Sequence, residues 1–161
     1  MNMVFNLDKI SAEFSQKILE LKGEKVKKGL ITSNTIEKVC TSTLGVIQEQ
    51  GLYAGFLFLL SKSGENLKKE ELSAEEFVSC GIIFYLMRLL NTEELKKIGC
   101  YYLNNDFTNV SEVNGNKMGI LKHINNVVTA DLKKLSLIKS LFEKTLIYTR
   151  YGAKALNVSE E

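Results

Sequence analysis

The chain has 161 residues, 45% apolar and 25% charged, with 21 Lys and Arg against 19 Asp and Glu for a net charge of +2. These proportions are ordinary for a globular protein and exclude a wholly disordered chain. The length fits one domain able to bury roughly 68–70% of its unfolded surface, and three scattered cysteines, Cys40, Cys80 and Cys100, exclude a secreted disulfide framework.

Hydrophobic spacing is helical along nearly the whole chain, and no Pro stands anywhere to break a helix interior. Leu7, Ile10, Phe14, Ile18 and Leu21 recur at three- and four-residue steps, which predicts a first amphipathic helix capped by Asp8. Residues 22–29 carry two glycines and four lysines and are expected to fray or to face solvent. A second helix, 35–50, follows from the stripe Ile36, Val39, Cys40, Thr43, Leu44 and Ile47. Asn34 and Glu37 are its expected capping pair, and Gly51 is placed to end it in a left-handed conformation.

Residues 52–62 are apolar on every face until Ser61 and Lys62, so a third helix is expected to be surrounded by others. Ser73 and Glu76 form a capping box for a fourth, 74–90, whose polar first turn gives way to an almost wholly buried body. Thr92, Glu93 and Glu94 open a fifth that reaches about residue 103. Residues 104–116 hold five asparagines and are expected to be an exposed loop. A short helix built on Ile120, Leu121, Ile124, Val127 and Val128 comes next, and the longest helix, 131–156, closes the chain. The prediction is an all-α, compact single-domain bundle spanning 1–161, with about six to seven helices and a long C-terminal one. Its apolar runs are about half the ~20 residues that span a bilayer, and residues 1–6 lack a basic segment followed by an apolar run. A cytoplasmic protein away from the membrane is expected.

Charge is unevenly spread. Between residues 115 and 156 stand Lys117, Lys122, Lys133, Lys134, Lys139, Lys144, Arg150 and Lys154 against Asp131 and Glu143 alone. On a helical wheel Leu135, Ile138, Phe142, Leu146, Ala153 and Leu156 share a core arc, while Lys139, Glu143, Arg150 and Lys154 share another. Lys133, Lys144 and Tyr151 form a neighbouring column. Cations that neutralise phosphates beside a ring able to stack a base are what a nucleic-acid backbone asks for. The plainer alternative is a solvated face with Tyr151 half-buried.

Other chemistries have less to stand on. Cys40, Cys80, Cys100 and His123 could supply four metal ligands, but no two are close in sequence, as zinc sites require. His123 is the only histidine, and its neighbours Lys122 and Asn125 suggest a surface position; no Ser stands in a nucleophile-elbow context. Residues 115–119 lack the spacing of a phosphate-binding loop. The pairs Glu75–Glu76 and Glu93–Glu94 stand at helix starts, where the helix dipole accounts for them. A helix-turn-helix around Gly51 fails because residues 52–60 are too apolar to lie in a groove. No catalytic role, cofactor or metal is expected.

Two stretches resemble a known family: Thr43-Leu44-Gly45-Val46-Ile47-Gln48-Glu49-Gln50-Gly51-Leu52, followed by Phe56-Leu57-Phe58-Leu59-Leu60-Ser61-Lys62, and the terminal Leu146-Ile147-Tyr148-Thr149-Arg150-Tyr151-Gly152-Ala153-Lys154-Ala155-Leu156. Together they are similar to the small helical subunit of type III-B CRISPR–Cas effector complexes, the fifth protein of the Cmr module. The sequence departs from that family in having no Pro before the second helix, no Trp near the terminal signature, and an apparent insertion at 104–116. The resemblance implies a non-catalytic antiviral-defence subunit that stacks with copies of itself and with neighbouring subunits along guide and target RNA. It implies Lys62, Arg150 and Lys154 as RNA-backbone contacts. The charge reading adds Lys139, Lys144 and the cluster of Lys25, Lys27 and Lys28. The rival expectation is a protein-only helical adaptor or scaffold whose lysines merely solubilise it.

Overall fold

The computed structural model describes residues 6–102 and 108–158. Seven α-helices occur among the described residues: α1 (Leu7–Leu19), α2 (Ser33–Gln50), α3 (Leu52–Lys62), α4 (Ala74–Leu90), α5 (Glu93–Lys97), α6 (Lys117–His123) and α7 (Leu132–Val158). The all-α reading, with a long C-terminal helix, is what the chain adopts. No described helix is long and apolar enough to cross a membrane.

Helix α4 is the centre. From Phe77 onward every residue except Tyr85 and Arg88 is buried, because α1, α2, α3 and a 3₁₀ segment at Val110–Gly115 pack around it. The capping box forms as expected: Glu76 N–H donates to Ser73 Oγ at 3.2 Å and Ser73 N–H donates to Glu76 Oε1 at 2.8 Å. Helix α7, 27 residues and about 40 Å long, lies against both α1 and α2. Its buried line is broader than the wheel indicates, because Leu141, Thr145 and Thr149 join Ile138, Phe142, Leu146 and Ala153. The two threonines bury without loss, since Thr145 Oγ1 donates to the Leu141 carbonyl at 2.8 Å and Thr149 Oγ1 to the Thr145 carbonyl at 2.7 Å. Leu156, assigned to the core arc, is 37% exposed.

Several local expectations change. Asn6 rather than Asp8 caps α1, its Oδ1 accepting from Lys9 N–H at 3.0 Å. Thr32 rather than Asn34 caps α2. Residues 22–29 do not fray: Lys25–Val26 pairs antiparallel with Gly29–Leu30, which leaves Lys27 and Lys28 at the turn. Gly29, at φ 93°, closes that turn in a conformation L side chains rarely adopt. Val26 and Ile31 are buried, and Lys27 N–H donates to the Leu72 carbonyl at 3.0 Å, so the hairpin is pinned to the segment before α4. Gly51 does end α2 at positive φ, 100°.

Helix α5 stops at Lys97, short of the expected end, where Gly99 takes φ 80°; residue 103 lies outside the described residues. The stretch 104–116 divides. Residues 104–107 lie outside the described residues, whereas Val110–Gly115 is a 3₁₀ helix with Ser111 and Val113 buried, not an exposed loop. Its one asparagine serves the fold: Asn114 Nδ2 donates to the carbonyls of Ser63 and Asn66, each at 2.9 Å. Helix α6 runs on into a π-helical turn at Ile124–Val128, with Ile120, Ile124 and Val128 buried.

Candidate nucleic-acid interface

Helix α7 was expected to carry one outward cationic ridge, and its cations instead fall into two groups along the helix. Towards the start of α1, Lys144 forms an ion pair with Asp8, whose other neighbour is the Tyr148 hydroxyl at 3.1 Å. The hydrogen bond from Lys144, then that from Tyr148, holds the Asp8 carboxyl below its usual range, and the same pair raises the Lys144 ammonium. Lys139 lies 3.8 Å from Glu143, one turn on. Further along, Lys154 lies 3.8 Å from Glu37 of α2. Three of the four cations assigned on α7 therefore have one of the chain's own carboxylates beside them. Such exposed pairs are weak, about 0–1 kcal/mol, and a phosphate can compete with them.

The C-terminal end of α7 is different. Tyr151 is 63% exposed, well beyond the half-buried alternative. The Arg150 guanidinium stands 6.0 Å from its ring centroid and the Lys154 ammonium 5.9 Å. Arg150 itself is half-buried, and its Nε is enclosed without a hydrogen-bond partner. No ion pair is formed by Arg150 among the described residues. This end of α7 meets the first turns of α2, through Lys154 with Glu37 and Asn157 with Asn34 at 3.4 Å. The hairpin leads directly into those turns, so Lys25, Lys27 and Lys28, all exposed, stand at the same end of the bundle.

Lys62 belongs to neither group. It ends α3, exposed, with its ammonium 5.9 Å from the Phe58 ring, facing a groove shared with Lys38 and Glu75. Lys117, counted in the basic third of the sequence, is a structural cation: its Nζ donates to the carbonyls of Leu60 at 3.1 Å and Gly64 at 2.6 Å, closing the C-terminal end of α3. A charge count cannot tell such a lysine from one that meets a ligand.

His123 is also corrected. It is buried, and its Nε2–H donates to the Cys100 carbonyl at 3.0 Å while its ring lies 4.9 Å from that of Tyr102. Burial lowers its pKa, which keeps the imidazole neutral while it ties α6 to the segment after α5. Cys40, Cys80 and Cys100 are free and buried; desolvation pushes the Cys80 thiol up to about 12 and the Cys40 thiol higher still. Thiols of that kind are poor nucleophiles and poor ligands. Among the described residues no three His, Cys, Asp or Glu are grouped to hold a metal. No family model matches the chain, and neither a curated protein nor a solved structure matches it.

Proposed function

We propose that this chain is a non-catalytic helical subunit that contacts an RNA backbone at the end of the bundle formed by the C-terminus of α7 and the hairpin before α2. One observation carries the reading: an exposed tyrosine ring with a guanidinium and an ammonium each about 6 Å from its centroid, and no ion pair at the guanidinium among the described residues. A ring stacks any base, and flanking cations neutralise the phosphates on either side of it. Lys25, Lys27 and Lys28 would extend the contact along the strand. The resemblance of the two sequence stretches to the small type III-B subunit would make the RNA a guide–target duplex and the assembly an antiviral effector complex. Lys139 and Lys144, which like Lys154 stand beside an acid, lie further back along α7 and are not part of the proposed contact.

The test is binding of fluorescently labelled RNA, followed by anisotropy across a salt series. Wild-type affinity is expected to fall steeply with salt and to depend little on sequence. Tyr151→Ala with Lys154→Glu is expected to weaken binding by about tenfold or more and to flatten the salt slope by about one. Both residues are exposed, so the variant should keep its helicity by circular dichroism. RNA binding unchanged in that variant would remove the assignment. The protein-only adaptor is favoured by the self-neutralised lysines of α7; it predicts no retention on immobilised RNA and co-purification with other proteins after nuclease treatment.

A further inference from the structure

Tyr151 stands on the outermost line of α7. Thr149 and Ala153, two residues to either side and so on the opposite face of the helix, are both fully buried. The helix is also held close behind the ring, where a Cβ added at Gly152 would run into the Leu19 side chain of α1. The ring therefore cannot turn inward. Ala155, one turn on, is exposed and too small to cover it. The Arg150 guanidinium, 6.0 Å from the ring centroid, and the Lys154 ammonium, 5.9 Å from it, are beyond the roughly 3.5–4.0 Å of a packed contact, so neither lies against the ring's centre.

We infer that this ring takes an unpaired base, so that RNA is single-stranded where it crosses Tyr151. The inference rests on the RNA reading and adds the kind of strand. Stacking needs a base with a bare face. In a continuous duplex each base pair is covered above and below by its neighbours, and an A-form helix presents phosphates, 2′-hydroxyls and base edges. A ring on the crest of a helix reaches none of the covered faces. An unpaired base can swing out and lie on the ring, while Arg150 and Lys154 meet phosphates of the same strand. Every base has such a face, so the contact tolerates any sequence. A continuous guide–target duplex would engage the cations alone.

The experiment measures the anisotropy of one labelled RNA strand alone and annealed to its complement, with a second duplex several times longer, at a fixed low salt concentration. The proteins are wild type, Tyr151→Ala, Tyr151→Leu, Tyr151→Phe and Lys154→Glu, each checked for helicity by circular dichroism. Tyr151→Ala and Tyr151→Leu are expected to weaken single-strand binding about tenfold and to leave duplex binding within about twofold of wild type. Tyr151→Phe keeps a ring and is expected to bind the single strand as wild type does. Lys154→Glu is expected to weaken both forms, since both offer phosphates. If the Tyr151 variants weaken single strand and duplex equally, or neither, while Lys154→Glu weakens both, the unpaired-base inference falls and the RNA reading stands. A Tyr151 effect on duplex binding that fades as the duplex lengthens would give the ring to duplex ends and overturn the inference likewise. Wild type that holds neither form would remove both readings. Tyr151→Leu keeps apolar bulk on the helix, so it carries the test if Tyr151→Ala loses helicity.

Discussion

Helices α3 and α4 read much alike as sequence, each rich in Leu and Phe with few charges, and they end in different surroundings. In α4 only Tyr85 and Arg88 escape burial after the first turn. In α3 two large apolar residues, Tyr53 and Leu57, stay partly in solvent. The cause is position. Helix α4 has α1, α2, α3 and the Val110–Gly115 segment around it, whereas α3 packs chiefly on α2, α4 and α6. An apolar sequence states that a face gains by being covered; the path of the chain decides whether its own elements do the covering.

Substitutions can break or sharpen that contrast. The largest effect is expected at Phe56, fully buried on the inner face of α3 with its ring 5.8 Å from Phe142. Phe56→Ala should cost about 3–5 kcal/mol in urea unfolding, as a core truncation in α4 would. Next is Gly55, where an added methyl would run into the Ile47 side chain of α2. Gly55→Ala gains up to about 1 kcal/mol of helix propensity but overpacks by about 1–3 kcal/mol, so a net loss of stability is expected in the same measurement.

Smaller effects concern the helix starts and the outer face. Helix α4 carries a full capping box, while α3 begins at Gly51 without a side-chain cap. Ser73→Ala should therefore cost about 1 kcal/mol, seen as a lowered denaturation midpoint with an unchanged slope. The smallest effect is expected at Leu57: Leu57→Ala should fall within about 0.5 kcal/mol of wild type. A loss at Leu57 as large as that at Phe56 would mean that the outer face of α3 is covered by the chain itself, and the contrast between the two helices would vanish.

Much of the helical plan was legible from local signals. The Ser73–Glu76 pair, the placement of Gly51 and the period of α4 state their roles within a few residues, because capping and periodicity are short-range physics. The hairpin at residues 25–30 was missed, since a lone Val26 among lysines carries no period; its burial beside Ile31 comes from distant packing, and its backbone tie runs to Leu72. Asn114 of Val110–Gly115 reads as a loop residue because its partners, the carbonyls of Ser63 and Asn66 just past α3, are some fifty residues away in sequence. The candidate interface was legible in part. Arg150 and Lys154 share one stripe on the wheel and Tyr151 a neighbouring column with Lys133 and Lys144, and the two cations each stand about 6 Å from that ring. That Lys144 and Lys154 would each stand beside an acid of another helix was not legible.

By itself the sequence determined the helical class, most helix starts and stops, and which faces seek cover, because those follow from backbone hydrogen bonding and from the spacing of apolar side chains along one segment. Tertiary structure alone decided which lysines are left for a ligand, that His123 is a buried tie between segments, and that α3 keeps an open face. Each of those outcomes depends on what a distant element places opposite the residue. Coulomb attraction, desolvation and hydrophobic cover act between neighbours in space, and the order of residues along the chain does not record who those neighbours are.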